Sequence, residues 1–172
     1  MGKYINRLSH CTFCCNDYPK MVKFYEEVMG LEKLFTINFE QDIIDGYLEK
    51  GYPLEAKPGD EWISYMKIAP KEFIELFNVP YIGRNDTKNQ EFHHVCLLVE
   101  DIFQAAKELE DKGLTLWHGP EWMEEPFTKP FAEEGTIGQC NSYGFYVQDP
   151  EGNEIEIMQY TENSLQVAND YD

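Results

Sequence analysis

The chain has 172 residues, of which 42% are hydrophobic and 15% aromatic, and its formal net charge is −18 at pH 7. This composition favours one folded domain over disorder, and so acidic a chain repels phosphate backbones and anionic lipid surfaces. No stretch approaches the ~20 apolar residues that span a bilayer, and the N-terminus lacks the apolar run of a signal peptide. We therefore expect a cytoplasmic protein that has neither nucleic acid nor a membrane as a partner.

The first half opens with a predicted strand and helix. Residues 8–13 favour a strand, Asp17 signals a helix start, and apolar residues then follow at the spacing of one helical stripe. Gly30 stands where that helix is expected to end. Three further strands are predicted in this half, at residues 35–39, 62–68 and 73–77. The intervening residues 40–60 are predicted to form a long, less regular connection.

The second half repeats this order. Residues 92–99 favour a strand, Asp101 is the predicted helix cap, and the apolar stripe recurs at an offset of 84 positions before Gly113 closes the helix. Further strands are predicted at residues 114–118, 143–148 and 154–160, with a turn at 149–153. The shared order predicts a tandem duplication in which each half is strand, helix and three strands.

The second long connection, residues 119–140, is rich in aromatic side chains. Trp122, Phe127 and Phe131 predict a lid over a site, with packing against a neighbouring subunit as the alternative. His118 precedes this connection and is expected at the surface, with a place lining the site as the alternative. The polar tail, residues 161–172, is expected to be partly frayed.

Histidine and glutamate occupy matched positions in the two halves. The first strands carry His10 and His94, and the last strands carry Glu75 and Glu156, each between apolar neighbours. A single strand glutamate is usually a solvent-facing residue. Matched positions of a duplicated fold, however, face one another across a pseudo-twofold axis. Two imidazoles and two carboxylates so placed form a candidate site for one divalent metal ion.

The chain has five cysteines, two of which form a weak candidate metal motif. Their odd number indicates reduced thiols and not a disulfide framework. Cys11 and Cys14 form a C-x-x-C, but no second C-x-x-C completes a tetrahedral zinc site. We interpret the pair as small, buried strand residues.

From about residue 5 to 160 the chain resembles the vicinal-oxygen-chelate superfamily, which includes glyoxalase I, extradiol dioxygenases and bleomycin resistance proteins. The resemblance implies an α+β fold in which residues 1–172 form a single domain. This domain would contain two tandem βαβββ modules, about 5–80 and 90–160, with mixed sheets curving into a cleft around a metal. The motifs that carry the resemblance are Leu8–Ser9–His10, Met29–Gly30–Leu31, Phe73–Ile74–Glu75–Leu76, residues 94–101 and Asp149–Pro150–Glu151–Gly152–Asn153–Glu154–Ile155–Glu156.

Glyoxalase I resembles this chain best at the metal, because its ligands follow the order His, Glu, His, Glu. The resemblance implies that His10, Glu75, His94 and Glu156 hold one divalent ion, which would be nickel, zinc, cobalt, manganese or iron. It implies a lyase or isomerase that acts on a small oxygenated substrate through a metal-stabilised enediolate. Glu156 would be the general base, with Glu75 as the second candidate. The expected partners are a small-molecule substrate and a second copy of the chain in a homodimer.

One departure bears on the substrate. Glyoxalases that use glutathione commonly have an arginine four residues after the first metal histidine, where this chain has Cys14, and only two arginines, Arg7 and Arg84, are present. The substrate is therefore not expected to be a glutathione adduct. Two alternatives stay open: a non-haem iron extradiol-type dioxygenase and a non-catalytic, resistance-type binding protein. Glu75 as a fourth ligand would obstruct the first, and a pure binder needs no such ligand set.

Overall fold

The computed structural model describes residues 8–70, 72–80, 94–121 and 124–169. The chain divides into two compact units, Met1–Glu91 (unit 1) and Phe92–Asp172 (unit 2). Each contains a mixed sheet and helices, so the predicted α+β class is confirmed. Trp122 and both arginines lie outside the described residues. Within the described ranges, every helix is too short or too polar to cross a membrane.

Unit 1 contains a four-stranded sheet in the order β1-β4-β3-β2. β1 runs parallel to β4, and the other neighbours are antiparallel. The predicted strands are confirmed to within a few residues at their ends. The elements of unit 1 are β1 (His10–Cys14), α1 (Tyr18–Lys23), a π-helical turn (Phe24–Val28), β2 (Glu32–Asn38), α2 (Gln41–Glu49), β3 (Glu61–Ala69) and β4 (Glu72–Phe77).

The helix after β1 follows its sequence signals. The Asp17 side chain accepts a hydrogen bond from the Lys20 amide at 3.2 Å, which satisfies an otherwise unpaired group at the helix start. Met21 and Tyr25, two residues of the predicted stripe, are fully buried. The chain leaves the helix at Gly30, whose φ of 73° is a conformation that glycine adopts without strain. The predicted helix is thus confirmed, with a π-helical last turn.

The connection at residues 40–60 is more regular than predicted, because it contains α2. Ile44 of this helix is buried with Phe39 and Val79, and Trp62 packs against the cluster. The N-cap residue, Glu40, makes no side-chain capping bond. Because the start of this helix lacks a capping signal, the sequence did not predict where it begins. The buried cluster therefore stabilises α2 in this position.

Unit 2 contains a three-stranded sheet in the order β5-β7-β6, in which β5 runs parallel to β7. The predicted helix is confirmed, with the Asp101 side chain accepting from the amides of Phe103 and Gln104 at 3.0 Å. The predicted turn before β7 is also confirmed, with Asp149 accepting from the Asn153 amide at 3.0 Å. The elements of unit 2 are β5 (Val95–Leu98), α3 (Ile102–Asp111), α4 (Phe131–Glu134), β6 (Tyr143–Gln148), β7 (Glu154–Gln159) and α5 (Leu165–Asn169).

The strand predicted at residues 114–118 is wrong, because in this stretch only Trp117 takes part in a β-bridge. Trp117 exchanges two backbone hydrogen bonds of 2.9 Å with Tyr146 and also bridges Pro126. Proline has no N–H to donate, and Gly119–Pro120 follows directly, so the ladder is not extended. The described part of unit 2 thus departs from the predicted βαβββ order, because one predicted strand is reduced to isolated bridges at a single residue.

The tail is more ordered than predicted as far as residue 169. Ser164 is fully buried and accepts a 2.8 Å hydrogen bond from the Ser142 hydroxyl. The Leu165 amide donates to the Cys140 carbonyl at 2.9 Å, and α5 begins at Leu165. The hydrogen bond between these two buried hydroxyl groups anchors the tail to the loop before β6.

Phe131, which was predicted to belong to a lid, is instead a core residue. Its side chain is fully buried, and its ring contacts those of Phe103, Phe127 and Phe145 at centroid distances of 5.2–5.6 Å. A Cβ at Gly135 would lie 2.6 Å from the ring, so this glycine permits the close packing. A side chain enclosed in this way does not open and close over a site.

We expect Phe131→Ala to lower the free energy of unfolding by about 3–5 kcal/mol, because it removes a fully buried ring and leaves a cavity. Chemical denaturation measures this loss. Phe103→Ala is the matched control and should lower the free energy of unfolding by less, because Phe103 is 40% exposed. A loss below about 1 kcal/mol for Phe131→Ala would restore the lid interpretation.

Candidate functional site

Unit 1 brings His10 and Glu75 together on one face of its sheet. The parallel register sets His10 opposite Phe73 and Thr12 opposite Glu75. Side chains two residues apart on a strand share a face, so the imidazole and the carboxylate meet diagonally. His10 Nδ1 lies 3.7 Å from Glu75 Oε1. Glu75 is only 5% exposed, whereas His10 is exposed.

Two hydroxyl groups surround the Glu75 carboxylate. Thr12 Oγ1 donates a 2.8 Å hydrogen bond to Oε2. Tyr65 lies opposite Glu75 on β3. A hydrogen bond to Glu75, burial and the negative charge of Glu75 raise the pKa of Tyr65 to about 12. The phenol is therefore protonated at neutral pH, and its hydrogen bond to Glu75 replaces one that the buried carboxylate loses to water.

Unit 2 forms the equivalent pair from His94 and Glu156. His94 stands immediately before β5, and Glu156 lies opposite Cys96 in the parallel register of β5 and β7. His94 Nε2 lies 3.2 Å from Glu156 Oε2, and both side chains are half-buried. The second pair is thus built by the same strand pairing as the first.

The surroundings of Glu156 repeat those of Glu75 with one change. Tyr146 lies opposite Glu156 on β6, as Tyr65 lies opposite Glu75. Burial, the charge of Glu156 and a hydrogen bond to it raise the pKa of Tyr146. Cys96 takes the place of Thr12, and partial desolvation, the charge of Glu156 and a hydrogen bond to it raise the pKa of Cys96 to about 12. Cys96 is therefore a protonated thiol near neutral pH.

Tyr65 and Tyr146 are absent from the predicted site, although the sequence contains a signal for them. Tyr65 precedes Glu75 by ten residues, and Tyr146 precedes Glu156 by ten residues. In each half a β-hairpin joins the two positions, so equal spacing predicts equal cross-strand pairing. Matching the halves at their last two strands, and not only at the first strand and helix, would have found them.

A cavity of about 180 Å³ lies within unit 2 (the unit 2 cavity). Glu156 and Tyr146 form part of its wall, and His118 and Phe127 form another. The rings of His118 and Phe127 lie 3.8 Å apart between centroids. His118 is exposed, as expected, and it also lines this cavity, which was the alternative. The cavity brings one of the two carboxylates next to space that a ligand could occupy.

The C-x-x-C has one half-buried and one exposed member, so burial of both cysteines was a wrong prediction. On β1, Cys11 is half-buried and Cys14 is exposed on the face of His10. Neither unit, within its described residues, gathers three His, Cys, Asp or Glu side chains into a metal-binding group. Each unit supplies one imidazole and one carboxylate, which are common ligands of divalent transition metals.

The family model of the Glyoxalase/Bleomycin resistance protein/Dioxygenase superfamily matches residues 7–157. The chain belongs to this superfamily. The predicted resemblance is thereby confirmed, and both imidazole–carboxylate pairs lie inside the matched range.

The chain is also similar to a curated relative and to two solved structures. The chain is 25% identical over 152 residues to the "Probable lactoylglutathione lyase" of Synechocystis sp., an alignment that covers 88% of this chain and 94% of that protein. The lactoylglutathione lyase structure from Agrobacterium tumefaciens superposes with a TM-score of 0.56 at 17% identity, covering 91% and 96% of the two chains. An antibiotic binding protein from Streptomyces sp. CB03234 superposes with a TM-score of 0.55 at 15% identity, covering 92% and 98%. The two structures share the glyoxalase fold with this chain, although one is named a lyase and the other a binding protein.

The hydrogen bond between Tyr65 and Glu75 leads to a pH prediction for the metal-free protein. Glu75→Gln removes the charge that favours the protonated phenol, so the pKa of Tyr65 should fall from about 12 towards the ordinary value of ~10. Carbon-13 NMR of labelled tyrosine side chains follows this titration. Glu49→Gln, at the exposed end of α2, is the control and should leave the Tyr65 titration in place. An unchanged Tyr65 titration in Glu75→Gln would contradict the contact.

Proposed function

We propose that this chain is a metal-dependent lyase or isomerase of the glyoxalase I kind, acting on a small oxygenated substrate. The observation that carries the proposal is the repeated pair of one imidazole and one carboxylate, at 3.7 Å in unit 1 and 3.2 Å in unit 2. Superfamily membership and the lactoylglutathione lyase relative support the same activity.

The residues proposed to hold the ion are His10 and Glu75 of unit 1 together with His94 and Glu156 of unit 2. Their donor atoms suit nickel, zinc, cobalt, manganese or iron. When bound, such an ion supplies a Lewis acid that stabilises negative charge developing on adjacent substrate oxygens. Thr12 and Tyr65 orient the Glu75 carboxylate, as partners of a metal ligand commonly do.

Glu156 is the proposed general base, and its position supports this role better than that of Glu75. Glu156 lines the unit 2 cavity, whereas Glu75 is only 5% exposed. Glu156 Oε2 is the oxygen nearest His94. Glu156 Oε1 lies on the side of Gly144, which also lines the cavity, 3.7 Å from where a Cβ would stand. Oε1 is therefore the atom proposed to take a proton from a substrate carbon and return it.

At saturating added zinc or nickel, Glu156→Gln should slow substrate carbon–hydrogen exchange with solvent by about 10²–10⁴-fold, because an amide cannot accept the proton. The exchange is followed by proton NMR in deuterium oxide, with adducts of methylglyoxal and a simple thiol as substrates. Glu75→Gln should slow the exchange less at saturating metal. Glu162 is an exposed carboxylate of unit 2, and Glu162→Gln should leave the exchange rate unchanged.

Metal analysis of the same variants separates loss of the base from loss of the ion. Equal exchange rates in Glu156→Gln and the unaltered protein would contradict the assigned base. Tight ligand binding by the unaltered protein, without exchange and without a need for metal, would contradict the enzymatic proposal and favour the binding-protein alternative.

A further inference from the structure

We infer that the site selects small substrates without a charged group, and that the lining of the unit 2 cavity sets this preference. The inference rests on the proposed function and names its substrate class. It depends on three features of the described residues: the size of the cavity, the chemistry of its lining and the ion pair of one lysine that shares the sheet face of Glu75.

The cavity is too small for a large conjugate. Its volume of about 180 Å³ lies below the ~300 Å³ at which pockets for drug-sized ligands begin. Glu156 and Tyr146 lie on its wall, so a ligand held there lies next to the proposed base. Phe127 offers an apolar surface against which the tilted His118 ring already packs. A compact molecule with one apolar edge matches this space.

The polar lining is rich in neutral hydrogen-bonding groups. Among the described residues that line the cavity there is no lysine and no arginine, and the only side chain able to become cationic is His118. The one carboxylate there, Glu156, is negative when it acts as a base. The described lining residues with neutral polar side chains are Thr136, Gln139, Cys140, Ser142, Tyr143 and Tyr146. Among the described lining residues, an anionic group would lose water without gaining a permanently charged lysine or arginine partner, which is costly.

Charges elsewhere in the described residues reinforce this preference. Lys67 of unit 1 pairs with Phe73 in the sheet register and so shares the face of Glu75. Its Nζ, however, lies 3.5 Å from a Glu32 carboxylate oxygen, which already offsets its charge. The net charge of −18 adds a long-range field that repels anions. A thiol conjugate with free carboxylates therefore fits poorly, whereas an uncharged hydroxy- or oxo-carbonyl compound fits.

Two probes that differ by one carboxylate test the inference. Acetohydroxamic acid and the monohydroxamic acid of succinic acid present the same adjacent oxygen pair, and only the second has an added negative charge. We expect zinc-loaded protein to bind the neutral probe about tenfold or more tightly than the anionic one, measured by calorimetry at about pH 8. Equal affinity, a preference for the anionic probe or no binding of either would overturn the inference.

A variant that adds a cation to the lining makes the test sharper. Gln139→Lys should strengthen binding of the anionic probe by about tenfold, because a charge-assisted hydrogen bond becomes available. Gln104→Lys adds the same charge on the exposed face of α3 and should leave the ratio of the two affinities unchanged. If both lysine variants shift the ratio equally, the lining does not set the preference and the inference fails.

Metal analysis distinguishes this failure from failure of the proposed function. Protein that takes up zinc but prefers the anionic probe contradicts only the substrate class. Protein that takes up no zinc contradicts the proposed function, and the inference falls with it.

Discussion

The parallel pairing of the first and last strands of each unit is the constraint on which the candidate site depends. It sets Thr12 beside Glu75 and Cys96 beside Glu156, so that the histidine two positions earlier reaches the same carboxylate. A slip of one residue would turn the glutamate to the opposite face. The helix between the strands enforces the pairing, because a parallel connection requires a crossover. The buried stripe of α1 and the capped start of α3 therefore serve the site as well as the core.

The two pairs differ in burial, and this difference divides the proposed roles. Removing a carboxylate from water is costly unless donors replace the water. Glu75, at 5% exposure, receives a hydrogen bond from Thr12 and is contacted by Tyr65. Glu156 has equivalent contacts from Cys96 and Tyr146, but it keeps partial exposure and faces a cavity. A buried carboxylate suits a structural ligand, whereas one beside open space suits proton transfer.

Periodicity and capping predicted most of the fold, and tertiary packing accounts for what they missed. Asp17 and Asp101 marked their helices because capping is a local interaction. α2 lacks a side-chain cap and depends on a buried cluster, and the strand predicted at 114–118 stops at a bridge to Pro126. Matched positions in the two halves identified both histidines and both glutamates, whereas the parallel strand pairing that joins each histidine to its glutamate is a tertiary feature. The partner tyrosines depended on hairpin register, which was not compared between the halves.

The central proposal is that the two imidazole–carboxylate pairs together hold one divalent ion. Crystals of zinc-loaded protein, with anomalous diffraction collected at the zinc edge, test it most directly. The account predicts a peak within about 2.0–2.2 Å of an imidazole nitrogen of His10 and His94 and of a carboxylate oxygen of Glu75 and Glu156. A peak bound by one pair alone, or by other residues, would contradict it.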